Sequence, residues 1–373
     1  MKIGGLLIIF LFSLALHSQP STVAADYYNK GIASYNTKNY GGAILEYSKC
    51  ITEDPLFSKA YYNRGNCYLI QKKYDEASQD FSEVVRLDPN NPKGHLYLGY
   101  TSLLQDKLDA AIMSFDECIK LDATMTKAYI NRGTAYMKKN LFAKATEDFT
   151  QALILGDNSA ACYSNRGYCR KKNEDYIGAL ADFNEATNLD QNTISNFIEK
   201  ALIYFKLEKW PEAIAEYSNL VRKEPSNAEH YHNRGYAKLM LEDLNGAHAD
   251  FSLCLQISPN HKNGLNNKAY TSFQLGKFEE AYGDYTNLIK TDSKNASFYA
   301  HRGTCLLELE KYDNAVDDFS TAIEYKKDFA EAYFNRANSY TKLLDYKNAC
   351  KDIKTSADLG YEAAFAHVNN LCN

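Results

Sequence analysis

Nine cysteines, eight histidines and a ladder of bases and acids at fixed spacing are the residues of this 373-residue chain that can do chemistry. No two cysteines form a C-x-x-C pair, so a zinc or redox motif is not indicated. Cys67, Cys169 and Cys305 share one position of an internal repeat with Ala33, Ala135 and Ala237, and Cys50, Cys118 and Cys254 share another with Ala152 and Ala322. That substitution pattern reads as small buried hydrophobes. Cys350 and Cys372 differ, because one opens a helix and the other ends the next, across a turn at Gly360. An antiparallel hairpin brings such ends together, which makes them a candidate disulfide; Cys50 and Cys67 are a second candidate pair. Cys162 and Cys169 lie about 10 Å apart along one helix and are out of bonding range. His230 and His232, two apart on a helix, face different ways and make a poor metal pair. Neither a metal site nor a cofactor is expected. A phosphate loop, a nucleophile elbow, H-E-x-x-H and a dinucleotide fingerprint are all missing, and no enzymatic activity is expected.

The charges are ordered by a 34-residue period. Counting Ala24 as position 1, position 7 carries Lys30, Arg64, Arg132, Arg166, Lys200, Arg234, Lys268, Arg302 and Arg336. Position 23 carries Glu46, Asp80, Asp148, Asp182, Glu216, Asp250, Asp284, Asp318 and Asp352. The third repeat departs at both, with Leu98 and Ser114. Loss of both charges together indicates that the partners belong to one repeat. Arg64 with Asp80, Arg132 with Asp148, Arg166 with Asp182, Arg234 with Asp250 and Arg302 with Asp318 therefore read as structural ion pairs. A substrate-binding ladder of bases is the competing reading, and the accompanying acids argue against it.

The elements that position these residues follow from the same period. Gly31, Gly65, Gly99, Gly133, Gly167, Gly235 and Gly303 recur at multiples of 34, with Ala201, Ala269 and Ala337 in the gaps. Twelve residues later an Ala occurs in every repeat, and four after it an aromatic, from Tyr47 and Phe81 to Phe319, with Ile353 last. Large apolar residues three before the Ala, such as Tyr74 before Ala77 and Phe81, share its helix face. Each unit is thus two helices joined by a short turn, and Pro55, Pro89, Pro225 and Pro259 mark the end of the second.

These residues resemble the tetratricopeptide repeat, whose pattern places an aromatic, Gly, aromatic, Ala, Phe, Ala and Pro in this order over 34 residues. The resemblance spans residues 24 to 363, with repeats starting at 24, 58, 92, 126, 160, 194, 228, 262, 296 and 330. It implies an all-α, right-handed α-solenoid of ten antiparallel helix pairs. A C-terminal capping helix, ending over 364–373, would cover the last repeat with Ala363, Phe365, Ala366, Val368 and Leu371. The resemblance further implies that positions 2, 5, 6, 9, 12 and 13 line a concave groove that takes a peptide or protein partner. Position 6 supplies Asn63, Asn131, Asn165, Asn233, Asn267 and Asn335, whose amides suit a peptide backbone; the same amides could instead bridge neighbouring hairpins. Position 9 supplies Tyr100, Tyr168, Tyr236 and Tyr270, which either bind or pack into the core. The family's carboxylate clamp is incomplete, with Tyr28 and Tyr62 in place of Lys and Asn131 in place of Arg. The alternative function is a structural or self-assembling solenoid with an empty groove.

Lys2, the apolar run Ile3 to Leu16 and small residues at Ser18, Ala24 and Ala25 have the layout of a secretory signal peptide within residues 1–25. Cleavage is expected after Ser18 or Ala25, giving a periplasmic or extracellular protein without membrane insertion; an uncleaved anchor is the alternative. A net charge of −5 gives no general attraction to nucleic acid. The oligomeric state favoured is a monomer.

Overall fold

The computed structural model describes residues 21–372, and these form twenty-one α-helices and no strand. The apolar run expected to direct export lies outside the described residues. The chain divides into two compact units within one helix, between Ala186 and Thr187.

The first unit pairs α1 (Thr22–Asn36) with α2 (Tyr40–Glu53), and α3 (Ser58–Ile70) with α4 (Tyr74–Leu87). It continues with α5 (Pro92–Leu104) and α6 (Leu108–Leu121), α7 (Thr126–Lys138) and α8 (Phe142–Ile154), then α9 (Ala160–Lys172) and most of α10 (Tyr176–Leu189). The second unit holds α11 (Ile194–Lys206) and α12 (Trp210–Lys223), α13 (Ala228–Met240) and α14 (Leu244–Ile257), and α15 (Lys262–Gln274) and α16 (Phe278–Thr291). It ends with α17 (Ala296–Glu308) and α18 (Tyr312–Tyr325), α19 (Ala330–Lys342) and α20 (Tyr346–Asp358), and α21 (Glu362–Leu371). Within each unit every helix packs on the next in sequence, so each unit is an α-solenoid of stacked hairpins.

The turn inside each hairpin is built one way throughout. In the first, Asn39 N–H bonds the Ser34 carbonyl and Lys38 N–H that of Tyr35, a Schellman closure of α1. It requires the left-handed conformation at Lys38, with φ of 61°. The equivalent residues, Lys72, Asp106, Asn140, Glu174, Glu208, Glu242, Glu310 and Leu344, have φ of 53° to 63°, and Gly276 takes the place in the eighth repeat.

The core follows from small-to-large pairing across each hairpin. The second-helix aromatics Phe81, Phe115, Phe149, Phe251 and Phe319 are fully buried, each against the first-helix Gly. A Cβ at Gly235 or Gly303 would lie 2.9 Å from the Phe251 or Phe319 ring, so the helices meet too closely for a larger residue to fit unchanged.

The final helix differs from the face expected of it. Ala364 is buried with Ala337 and Ile353, and Val368 and Leu371 pack alongside, whereas Phe365 is 57% exposed. The helix begins at Glu362, which turns the i, i+4, i+7 stripe of Ala364, Val368 and Leu371 inward and carries Ala363, Phe365 and Ala366 to solvent.

Candidate functional site

First helices of successive hairpins approach one another, α5 to α7 and α7 to α9 in the first unit, α13 to α15 and α17 to α19 in the second. Within each unit they form one layer of the stack. Of the position-9 tyrosines, Tyr100 and Tyr270 stand exposed on it. Tyr168 lies against Phe142 at 6.2 Å, and Tyr236 packs on Phe205 at 5.9 Å and Trp210 at 6.3 Å. These two are half core, half surface. Tyr100 borders a cavity of about 330 Å³ shared by α5 and α7, with Leu96, Tyr97, Lys127, Ile130 and Asn131 around it.

The position-6 amides divide as well. Asn63 donates to the Tyr28 hydroxyl at 3.0 Å, and the Asn267 amide reaches His232 Nε2 at 3.2 Å. Both bridge to position 5 of the preceding hairpin, and Asn233 meets His232 Nδ1 at 3.2 Å. Asn131, Asn165 and Asn335, all half-buried, are the members whose amides are not drawn into such bridges.

The charged ladder is internal. Arg64 donates to Asp80 through Nε at 3.0 Å and Nη2 at 2.7 Å. Arg132 with Asp148, Arg166 with Asp182, Arg234 with Asp250, Arg302 with Asp318 and Arg336 with Asp352 repeat this two-pronged contact at 2.6–2.9 Å. Lys200 and Lys268 reach Glu216 and Asp284. The first repeat does not pair in this way: Lys30 binds Asp26 and Glu46 binds Lys49. Lys30 is exposed, so no buried carboxylate depends on it. Each arginine lies over the position-4 tyrosine of its own helix, as Arg64 does over Tyr61 at 5.6 Å.

Two segments, residues 58–91 and 126–153, match models of the tetratricopeptide repeat, and residues 201–241 and 303–343 match that of the TPR repeat. The chain is a tetratricopeptide repeat protein. No curated protein matches it. The solved C-terminal part of a TPR repeat-containing protein from Cytophaga hutchinsonii is 18% identical, covers 64% of this chain and 98% of its own, and superposes with a TM-score of 0.56. At that identity the likeness concerns the fold. YrrB, described as a TPR protein with an unusual peptide-binding site, is 20% identical over 50% of this chain and 97% of its own, with a TM-score of 0.47. A tetratricopeptide repeat protein from Parabacteroides merdae is 18% identical over 66% and 99%, with a TM-score of 0.43.

In this tetratricopeptide array the arginines do more than close their own hairpins. The free Nη1 of Arg64, Arg166, Arg234, Arg302 and Arg336 reaches back to Ser48, Thr150, Ser218, Thr286 and Ser320, and that of Arg132 to Asp116. All six acceptors occupy position 25 of the preceding repeat, so each guanidinium ties three helices. The recurrence of Ser and Thr at position 25 is visible in the sequence and was the signal for it.

Cys350 and Cys372 form a disulfide between α20 and the end of α21. Cys50 and Cys67 are separate, buried thiols, as are Cys118, Cys162, Cys169, Cys254 and Cys305. Burial pushes them up, to about 11 for Cys67 and about 12 for Cys169, which keeps them protonated and inert at neutral pH. His232 is brought to His261 and Glu229 rather than to His230, which instead meets Glu224 at 2.7 Å.

Proposed function

We propose that the chain is a non-catalytic scaffold that binds a peptide or protein partner along its first helices. The observation that carries this is the cavity shared by α5 and α7. It combines an exposed phenol at Tyr100, a cation at Lys127, an amide at Asn131 and apolar walls, the mixture that grips an extended chain with some side-chain preference. Tyr100→Ala in the full chain is expected to cut partner retention at least about tenfold in affinity capture, since an aromatic anchor carries about 2 kcal/mol or more. Undiminished retention, with the helical content intact, would move the site off this cavity. The competing reading, a self-assembling stack, is disfavoured by α21, which covers the end of the last hairpin with Ala364, Val368 and Leu371. A monomeric mass in solution is the expected result, and a mass that grows with concentration would favour the stack.

We further propose an exported, extracytoplasmic protein cut after Ser18. Ser21 caps α1 by accepting from Ala24 N–H, and Ala24 is fully buried with Cys50 and Ala60. Cutting after Ala25 would remove both the cap and a core residue. Intact mass of the exported chain is expected to place Gln19 first; a chain beginning at Asp26 would contradict this, and an unprocessed chain would contradict cleavage altogether.

A further inference from the structure

We propose that Glu229, His232 and His261 bind one divalent ion of the zinc class where α13 meets the start of α15 in the second unit. The ligand atoms of these three residues all lie within 4.8 Å of one another. Glu229 and His232, three apart on α13, share a face, and His261 comes from the turn that opens α15. Two imidazoles and a carboxylate are a donor set that zinc accepts, at about 2.0–2.2 Å from each, leaving a fourth position open. A modest inward movement of three side chains, two of them half-buried, closes that distance.

Repetition does not account for the cluster. In this array an identical residue at an equivalent position is the default, and the asparagine ladder follows it. Histidine occurs at position 5 only as His232 and at position 34 only as His261, and the seventh repeat joins both to an acid at position 2.

The surrounding groups fit the role. His232 Nδ1 donates to Asn233 Oδ1 at 3.2 Å, which leaves the Nε2 lone pair facing out, where the Asn267 amide now meets it at 3.2 Å. An anchored Nδ1–H is the usual support of a metal-binding imidazole. His261 Nε2 donates to Glu229 Oε1 at 3.0 Å, while its Nδ1 accepts from Gly264 N–H at 2.9 Å. A metal ion would take the place of the proton between ring and carboxylate. That proton passes to Nδ1 and the bond from Gly264 is given up, so the ion and the α15 cap compete for one ring. Glu229 and His261 also border an open cavity of about 650 Å³, which gives a hydrated ion access and leaves the fourth position to water or to a partner's carboxylate or imidazole.

The test is titration of the purified, untagged full chain with Zn²⁺ by calorimetry and with Co²⁺ by visible absorption. One saturable equivalent is expected, with cobalt d–d bands of a low-coordinate site. Glu229→Gln, His232→Gln and His261→Asn, the last keeping a capping acceptor, should each weaken binding about 100-fold or more, and Asn233→Ala about tenfold. His230→Gln should change nothing. Absence of a saturable equivalent, or binding that survives either histidine substitution in a folded chain, would overturn the site.

Discussion

Asp148→Ala is expected to lower stability by about 3 kcal/mol, far more than an exposed pair would give. The reason is the residue left behind. Arg132 is only 18% exposed and loses both contacts to Asp148, keeping Asp116 as its remaining acid. Removing one partner strands a desolvated charge, whereas removing both does not. The third repeat carries that uncharged combination as Leu98 and Ser114. Arg132→Leu with Asp148→Ser, which copies it, should therefore cost much less than Asp148→Ala alone. Urea midpoints of the two variants at pH 7 decide the matter, and equal losses would refute the pairing argument. Neutral pH is the right condition. Burial holds the Asp148 carboxyl above its ordinary range despite the Arg132 hydrogen bonds. A carboxyl raised in the folded state adds stability that is full below its unfolded value and lost as pH rises through its folded one. Acid alone would not expose this pair.

Phe319→Ala is expected to cost about 3–5 kcal/mol, the upper range for a core deletion. The ring is fully buried among Ala300, Leu306, Ala315, Ala322, Ile323 and Ala332, contributed by α17, α18 and α19. The four alanines among them cannot lean in to fill the void, and Gly303, on the first helix, has no side chain to offer. The damage should also stay local, because each hairpin touches only its neighbours. Hydrogen exchange should show lost protection over α17 to α19 with α11 to α13 retained. Uniform loss across the second unit would mean that the stack unfolds as one body.

The fold was legible because its signal is repeated: a Gly, Ala and aromatic at fixed offsets specify two packed helices, and a single misreading cannot survive ten registers. The charged pairs were legible for a subtler reason, since the third repeat dropped Leu98 and Ser114 into both positions at once. Contacts that cross from one hairpin to the next were harder to see. The reach of Arg64 to Ser48 depends on the stacking distance between units, which no single repeat encodes. The orientation of α21 was misjudged because one helix offers no period against which to set its phase. His261 escaped notice for the opposite reason: its partners, Glu229 and His232, lie about thirty residues earlier and occur in that arrangement once.

The left-handed turn residues have a consequence for the molecule as a whole. Of the ten turns inside the repeats, nine bend through a residue that carries a side chain and the tenth through glycine, at Gly276. Left-handed backbone costs an ordinary residue roughly 1 kcal/mol, so nine together amount to roughly 10 kcal/mol, as much as the net stability of a typical domain. Because the bends belong to separate hairpins, these costs accumulate almost independently. The headroom for a tougher protein therefore lies in its elbows, spread evenly along the chain, while its tightly filled interior has little left to give.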